Sequence, residues 1–116
     1  MKNKLINVLS QFGLPVFLQG TLNPAEEYPK TFITFFTNYT ENNTHYENVV
    51  VSVDWGFSVI LYSNDPEIVN TKHNEIRAAL NAAGFIPQGK GVDVQSDEPT
   101  HTGWAMDFVI TEYLKE

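Results

Sequence analysis

From Val49 to Leu61 every odd position is apolar: Val49, Val51, Val53, Trp55, Phe57, Val59 and Leu61. The even positions are mostly Ser52, Asp54, Gly56 and Ser58. A period of two predicts a long strand with one buried and one exposed face, because a helix would scatter the same residues around its whole surface. Upstream, TFITFFTNYT (31–40) is β-branched and aromatic throughout and predicts a second strand. Phe32 and Phe36 fall on one of its faces and Ile33, Phe35 and Tyr39 on the other. A strand apolar on both faces belongs in the middle of a sheet or under a neighbouring subunit. The polar stretch ENNTHYEN (41–48) between the two strands reads as a loop.

Helical spacing occurs twice. Leu5, Val8, Leu9 and Phe12 share one face of a helix over Lys2–Phe12, which Gly13 and Pro15 stop. The polar Asn7, Ser10 and Gln11 interrupt its apolar run, and no small-residue cleavage site follows, so an amphipathic first helix is expected in place of a signal peptide. The second helix opens with Asp65 as N-cap, Pro66 at the first helical position and Glu67 at the positive end of the dipole. It runs to about Ala83, with Val69, Ile76, Ala79, Leu80 and Ala83 facing inward, and Gly84 closes it. Short strands fit Val16–Gln19 and Val92–Val94, and a last strand starts near Thr102, with Trp104, Met106, Phe108 and Ile110 alternating. The predicted order is α-β-β-β-α-β-β. It describes one α+β domain, an antiparallel sheet of four to five strands with two helices packed on one face.

Composition narrows the function more than the fold. The 116 residues suffice for one core, and no stretch approaches the roughly 20 apolar residues of a membrane helix. The absence of cysteine removes disulfides, thiolate metal sites and cysteine nucleophiles. With 14 acidic and 7 basic residues the formal charge is -7, and the cations are scattered along the chain. That balance argues against sequence-specific nucleic-acid binding, which gains affinity from clustered Lys and Arg.

Candidate chemistry is sparse. His45, His73 and His101 are isolated, on two loops and a helix, without the paired spacing of a zinc site. The carboxylate pairs Glu26–Glu27 and Asp97–Glu98 lie in predicted loops, and no serine stands in a G-x-S-x-G context. No catalytic residue, metal or cofactor is expected. A metal-dependent enzyme built on His101 and Asp97 would need a second histidine in the same pocket, and is one alternative. Another is a stand-alone binding module with an exposed apolar groove. The segment SDEPTHTGWAMDF (96–108) combines Asp97, Glu98, Thr100 and His101 before the only Gly-Trp pair. Asp97 can form an Asx-turn, Pro99 fixes φ, and Gly103 allows an unusual backbone angle or a close approach. A stiff polar contact loop is the favoured reading, ahead of a ligand site.

Four stretches together carry a resemblance: YPKTFITFF (28–36), HYEN (45–48), VDWGFSVILYSNDP (53–66) and GKGVDVQSDEPTHTGWAMDF (89–108). In order and spacing they resemble small prophage proteins of Gram-positive bacteria, the tail terminator and head–tail joining proteins of long-tailed phages. The resemblance covers most of the chain from Tyr28 onward, and residues 1–27 carry none of it. It implies an α+β subunit that is not an enzyme and that assembles with copies of itself into a ring, commonly hexameric, on the end of the tail tube. The implied partners are tail-tube and head-connector proteins. The implied location is the bacterial cytoplasm during assembly and then the head–tail junction of the virion. Two loops are expected to make the contacts, Glu41–Asn48 through Glu41, His45, Tyr46 and Glu47, and Asp97–Gly103 through Asp97, Glu98, Thr100 and His101. Trp55 and Trp104, on the apolar sides of their strands, are expected in the core.

Overall fold

The computed structural model describes residues 1–18, 29–45, 49–95 and 100–113, with the side chains of Thr44, His45, Val49 and Val50 left aside. In chain order the elements are α1 (Lys2–Ser10), β1 (Val16–Leu18), β2 (Thr31–His45), β3 (Val49–Ser63), α2 (Pro66–Ala82), β4 (Ile86–Pro87), β5 (Val92–Gln95) and β6 (Thr102–Tyr113). The α+β class is as expected. Among the described residues, however, the sheet has six strands, in the order β1-β2-β3-β6-β4 with β5 also on β6. The additional strand is β4, whose two residues pair with Val109 and Phe108. Such a short element leaves no periodicity to read.

Pairing is antiparallel except at the β1 edge, where Val16–Leu18 runs parallel to Ile33–Phe35. An all-antiparallel sheet was expected, but residues 19–30 separate β1 from β2, enough chain for the direction to be kept. Lys2–Ser10 ends α1 two residues before the expected Phe12, and Gly13 follows at φ 69°. The start of α2 is as the sequence predicts, with the Asp65 carboxylate accepting from the Glu67 amide at 3.0 Å.

The largest departure concerns β2. The polar residues 41–45, expected in a loop, continue the strand, and β2 pairs with β3 as far as His45↔Val49. Polar side chains did not prevent pairing, because a strand needs only backbone partners and its Asn side chains find their own. Asn43 donates to Ser52 Oγ at 3.0 Å, and Asn38 donates to Ser58 Oγ at 3.1 Å. The register slips between Thr37 and Tyr39, which leaves Asn38 as an extra residue opposite Gly56. That β-bulge inverts the alternation beyond it. Tyr39 therefore lies on the Phe32 and Phe36 face, not on the Ile33 face where unbroken alternation puts it.

The helices pack on one face only. Leu5, Val8 and Leu9 of α1 and Ile76 and Leu80 of α2 meet Ile33, Phe35, Phe57, Val59, Leu61, Met106, Phe108 and Ile110 in one apolar cluster, closed by Phe85. The opposite face is less exposed than the period-two pattern suggests, since Ser52, Ser58 and Ile60 of β3 are buried there too. Ser58 is held between Asn38 and Asp107, donating to Asp107 Oδ1 at 2.7 Å. Over Gly56 lie Asn38 and the Tyr39 ring, in the space that a Cβ would need. Gly56→Ala should therefore displace Tyr39 and destabilise the fold by about 1–3 kcal/mol, measured by chemical denaturation. An unchanged midpoint would show that Tyr39 moves aside freely.

Candidate functional site

The long strands outrun the helices. The molecule measures 53 × 29 × 22 Å, and β2 and β3 each have 15 residues against nine in α1. The N-terminal turn of α1 marks the limit of cover: Met1, Lys2 and Asn3 join Thr37, Thr40 and Trp55 around an open depression of about 460 Å³. Beyond it the sheet continues as a three-stranded arm, with rows such as Glu41–Asp54–Thr111 and Asn42–Val53–Glu112. Two tryptophan-side contacts close its root. Trp55 stacks on Phe57 with ring centroids 5.9 Å apart, and its indole donates to Glu112 Oε1 at 3.2 Å. Trp55 and Trp104 are both half-buried against the core cluster, at its rim and not at its centre.

Charge is distributed unevenly over this framework. No lysine or arginine occurs in β2, β3 or β6, which carry Glu41, Asp54, Asp107 and Glu112. Pairing places Glu41 opposite Asp54 and Asp107 opposite Ser58, all on the face away from the helices. Thr111 relieves part of that concentration by donating to Asp54 Oδ1 at 2.6 Å. The cations Lys2, Lys4, Lys72 and Arg77 belong to the helices. The three long strands thus carry acids and no cation, whereas four of the six described lysine and arginine residues lie on the helices, alongside Glu67 and Glu75, and Lys30 and Lys90 lie in loops.

The described parts of the two expected contact regions sit at opposite ends of the sheet. Glu41 is exposed on the arm, and His45 ends β2 at its tip. Tyr46, Glu47, Asp97 and Glu98 lie outside the described residues. Thr100 is exposed, but His101 is buried, with 8% of its surface accessible. The His101 ring packs on Phe32 at 5.8 Å, Nε2 lies 2.8 Å from the Pro29 carbonyl oxygen and Nδ1 lies 3.0 Å from Thr100 Oγ1. A carbonyl only accepts, so Nε2 carries a proton and donates to it. His101 thereby fastens the start of β6 to the segment leading into β2. Next to it Gly103 serves close approach, because a Cβ there would meet the Tyr62 ring and a Val94 methyl.

The other described histidine side chain is on the far side of the sheet. His73 of α2 stacks on Trp104 at 4.7 Å, whereas His101 packs on Phe32 of the opposite face. The sheet between them prevents a metal site that joins the two, and among the described residues no three metal-ligating side chains cluster. Among the same residues, no helix is long and apolar enough to cross a membrane. No protein-family model matches the chain, and no curated protein matches it significantly.

Sequence reasoning missed the arm, because Asn- and Thr-rich composition stood for a loop. The available signal was Gly56 inside an otherwise perfect alternation, a residue that often marks a bulge or a close approach on the neighbouring strand. For His101, the burial and bonds predict that His101→Ala lowers stability by about 1–3 kcal/mol, by leaving the Pro29 carbonyl without its donor. Thermal or urea unfolding reads this directly. A variant as stable as the unsubstituted chain would show that the imidazole is not a structural tie.

Proposed function

We propose that this protein is a non-enzymatic phage assembly subunit that forms a ring at the head-proximal end of the tail tube, ending the tail and joining it to the head. The observation that carries the reading is the arm, in which three paired strands run past the helices and present exposed residues on both faces. Residues 38–42 of β2 are consecutively exposed, and Tyr113 at the end of β6 keeps 80% of its surface accessible. A projection of this kind contributes little to its own core, so its length is better explained by contacts with other subunits. The resemblance described from the sequence supports the same class.

Charge supports the reading from a second direction. A ring at this junction must let DNA pass without gripping it. Strands β2, β3 and β6, which bear Glu41, Asp54 and Asp107 on the face away from the helices and contain no lysine or arginine, repel phosphates, where a basic lining would release counterions and bind. The acidic face therefore belongs toward the lumen, and the helices, with Lys2, Lys4, Lys72 and Arg77, toward the outside or the partner proteins.

The test is deletion of the gene from an inducible prophage, followed by electron microscopy of the lysate. Filled heads and tails should accumulate separately, with infectious particles lost, and supplying the chain from a plasmid should restore joining. Normal virions in the deletion strain would refute the assignment.

A further inference from the structure

The β1 strand covers β2 only at Ile33–Phe35, and among the described residues nothing pairs with the outer edge of β2 from Thr37 to His45. On the other side of the sheet, β5 and β4 pair with β6 at 102–105 and 108–109, and none of the described residues pairs with the outer edge of β6 from Ile110 to Tyr113. These two stretches lie at the same end of the molecule, since Asn42 and Glu112 both pair with Val53.

The pairing pattern identifies the backbone groups that point outward. Ile33 donates its amide to the Pro15 carbonyl on the β1 side at 2.9 Å, so Ile33↔Leu61 is a non-hydrogen-bonded pair of the antiparallel ladder. Alternation carries this to Thr37↔Phe57. Beyond the bulge, where Asn38 and Tyr39 together face Gly56, it continues at Thr40↔Trp55 and Asn42↔Val53. Thr40 and Asn42 thus present their amides and carbonyls to the outside. On β6 the same reasoning turns Asp107, Thr111 and Tyr113 outward, and the Asp107 carbonyl does accept from the Gln88 amide at 2.8 Å.

We infer that these edges join, β2 of one copy adding to β6 of the next, so that the sheet runs on from subunit to subunit. Within one sheet β2 and β6 are parallel to each other, both being antiparallel to β3. Laying the β2 edge of one copy on the β6 edge of another therefore keeps strand direction, as a rotation about an axis along the strands requires. Such a cycle uses the arm stretch of both β2 and β6 in every subunit. A two-fold pairing of β2 with β2 would leave every β6 edge unpaired. The acids do not oppose the junction, because Glu41 and Asp54 share the face away from the helices while Glu112 bonds Trp55 on the helical face. Residues 37–45 and 110–113 contain neither lysine nor proline, the residues that commonly block an edge.

This pairing presupposes the ring proposed above, and proline tests it without touching the internal ladder. Asn42→Pro and Tyr113→Pro each delete one outward amide, whereas Asn42→Ala retains it. Tyr113 is an exposed strand end, so its variant leaves the core intact even if Asn42→Pro perturbs the hairpin. Native mass spectrometry of the full chain should give a closed species of more than two copies of the 13.1 kDa subunit. Both proline variants should weaken its association by about tenfold or more, with Asn42→Ala unaffected. A ring that survives both proline substitutions overturns the edge pairing and leaves the ring itself standing. A two-copy species sensitive to Asn42→Pro alone assigns the β2 edge to a two-fold contact and also overturns it. A chain that stays monomeric at every concentration overturns the pairing, and the deletion phenotype then decides the assembly role separately.

Discussion

A mismatch of lengths governs this structure. Strands of 15 residues extend about 50 Å, whereas helices of nine and 17 residues extend about 14 and 25 Å. Two such helices cannot cover such a sheet, and the core occupies only the end where they lie. Leu5, Leu9, Ile76 and Leu80 close over Phe57, Val59, Leu61 and Phe108, all fully buried. From Trp55 outward the strands are held chiefly by their own ladder and by side-chain bonds such as Asn43–Ser52 and Thr111–Asp54. The arm and the depression at the first turn of α1 both follow from where the helices stop.

The elements whose signals are local were legible in the sequence. Alternation from Val49 to Leu61 marked β3, and the Asp65–Pro66–Glu67 start marked α2, because strand periodicity and capping act within a few residues. What escaped depends on pairs distant in the chain. The parallel direction of β1 is set by its contact with β2, the two residues of β4 exist as a strand only beside β6, and residues 41–45 are extended because β3 offers them partners. Composition classed those five residues as loop, since turns and polar edge strands favour the same Asn and Thr.

For the candidate site, the surroundings of the residues expected to make contacts were not legible in the sequence. Glu41 stands exposed on a paired strand where a loop was expected. His101, grouped with polar contact residues by its neighbours in sequence, is held by the Pro29 carbonyl, 72 residues away, and by the Phe32 ring. No pattern around position 101 encodes that partner. The same holds for His73, whose stacking on Trp104 joins α2 to the last long strand. Both imidazoles work as struts between distant segments, on opposite faces of the sheet.

The bulge at Asn38 also affects how the β2 edge can meet another strand. A long strand edge without lysine or proline is also an invitation to indiscriminate aggregation while the protein is being made. By placing two residues against Gly56, the bulge interrupts the straight run of the edge and increases its local twist, so that a flat, foreign strand finds only a short matching stretch. A partner twisted in the same way, as an identical chain is, meets no such obstacle. In the assembly proposed above, the irregularity would thus favour an identical chain over an unrelated strand.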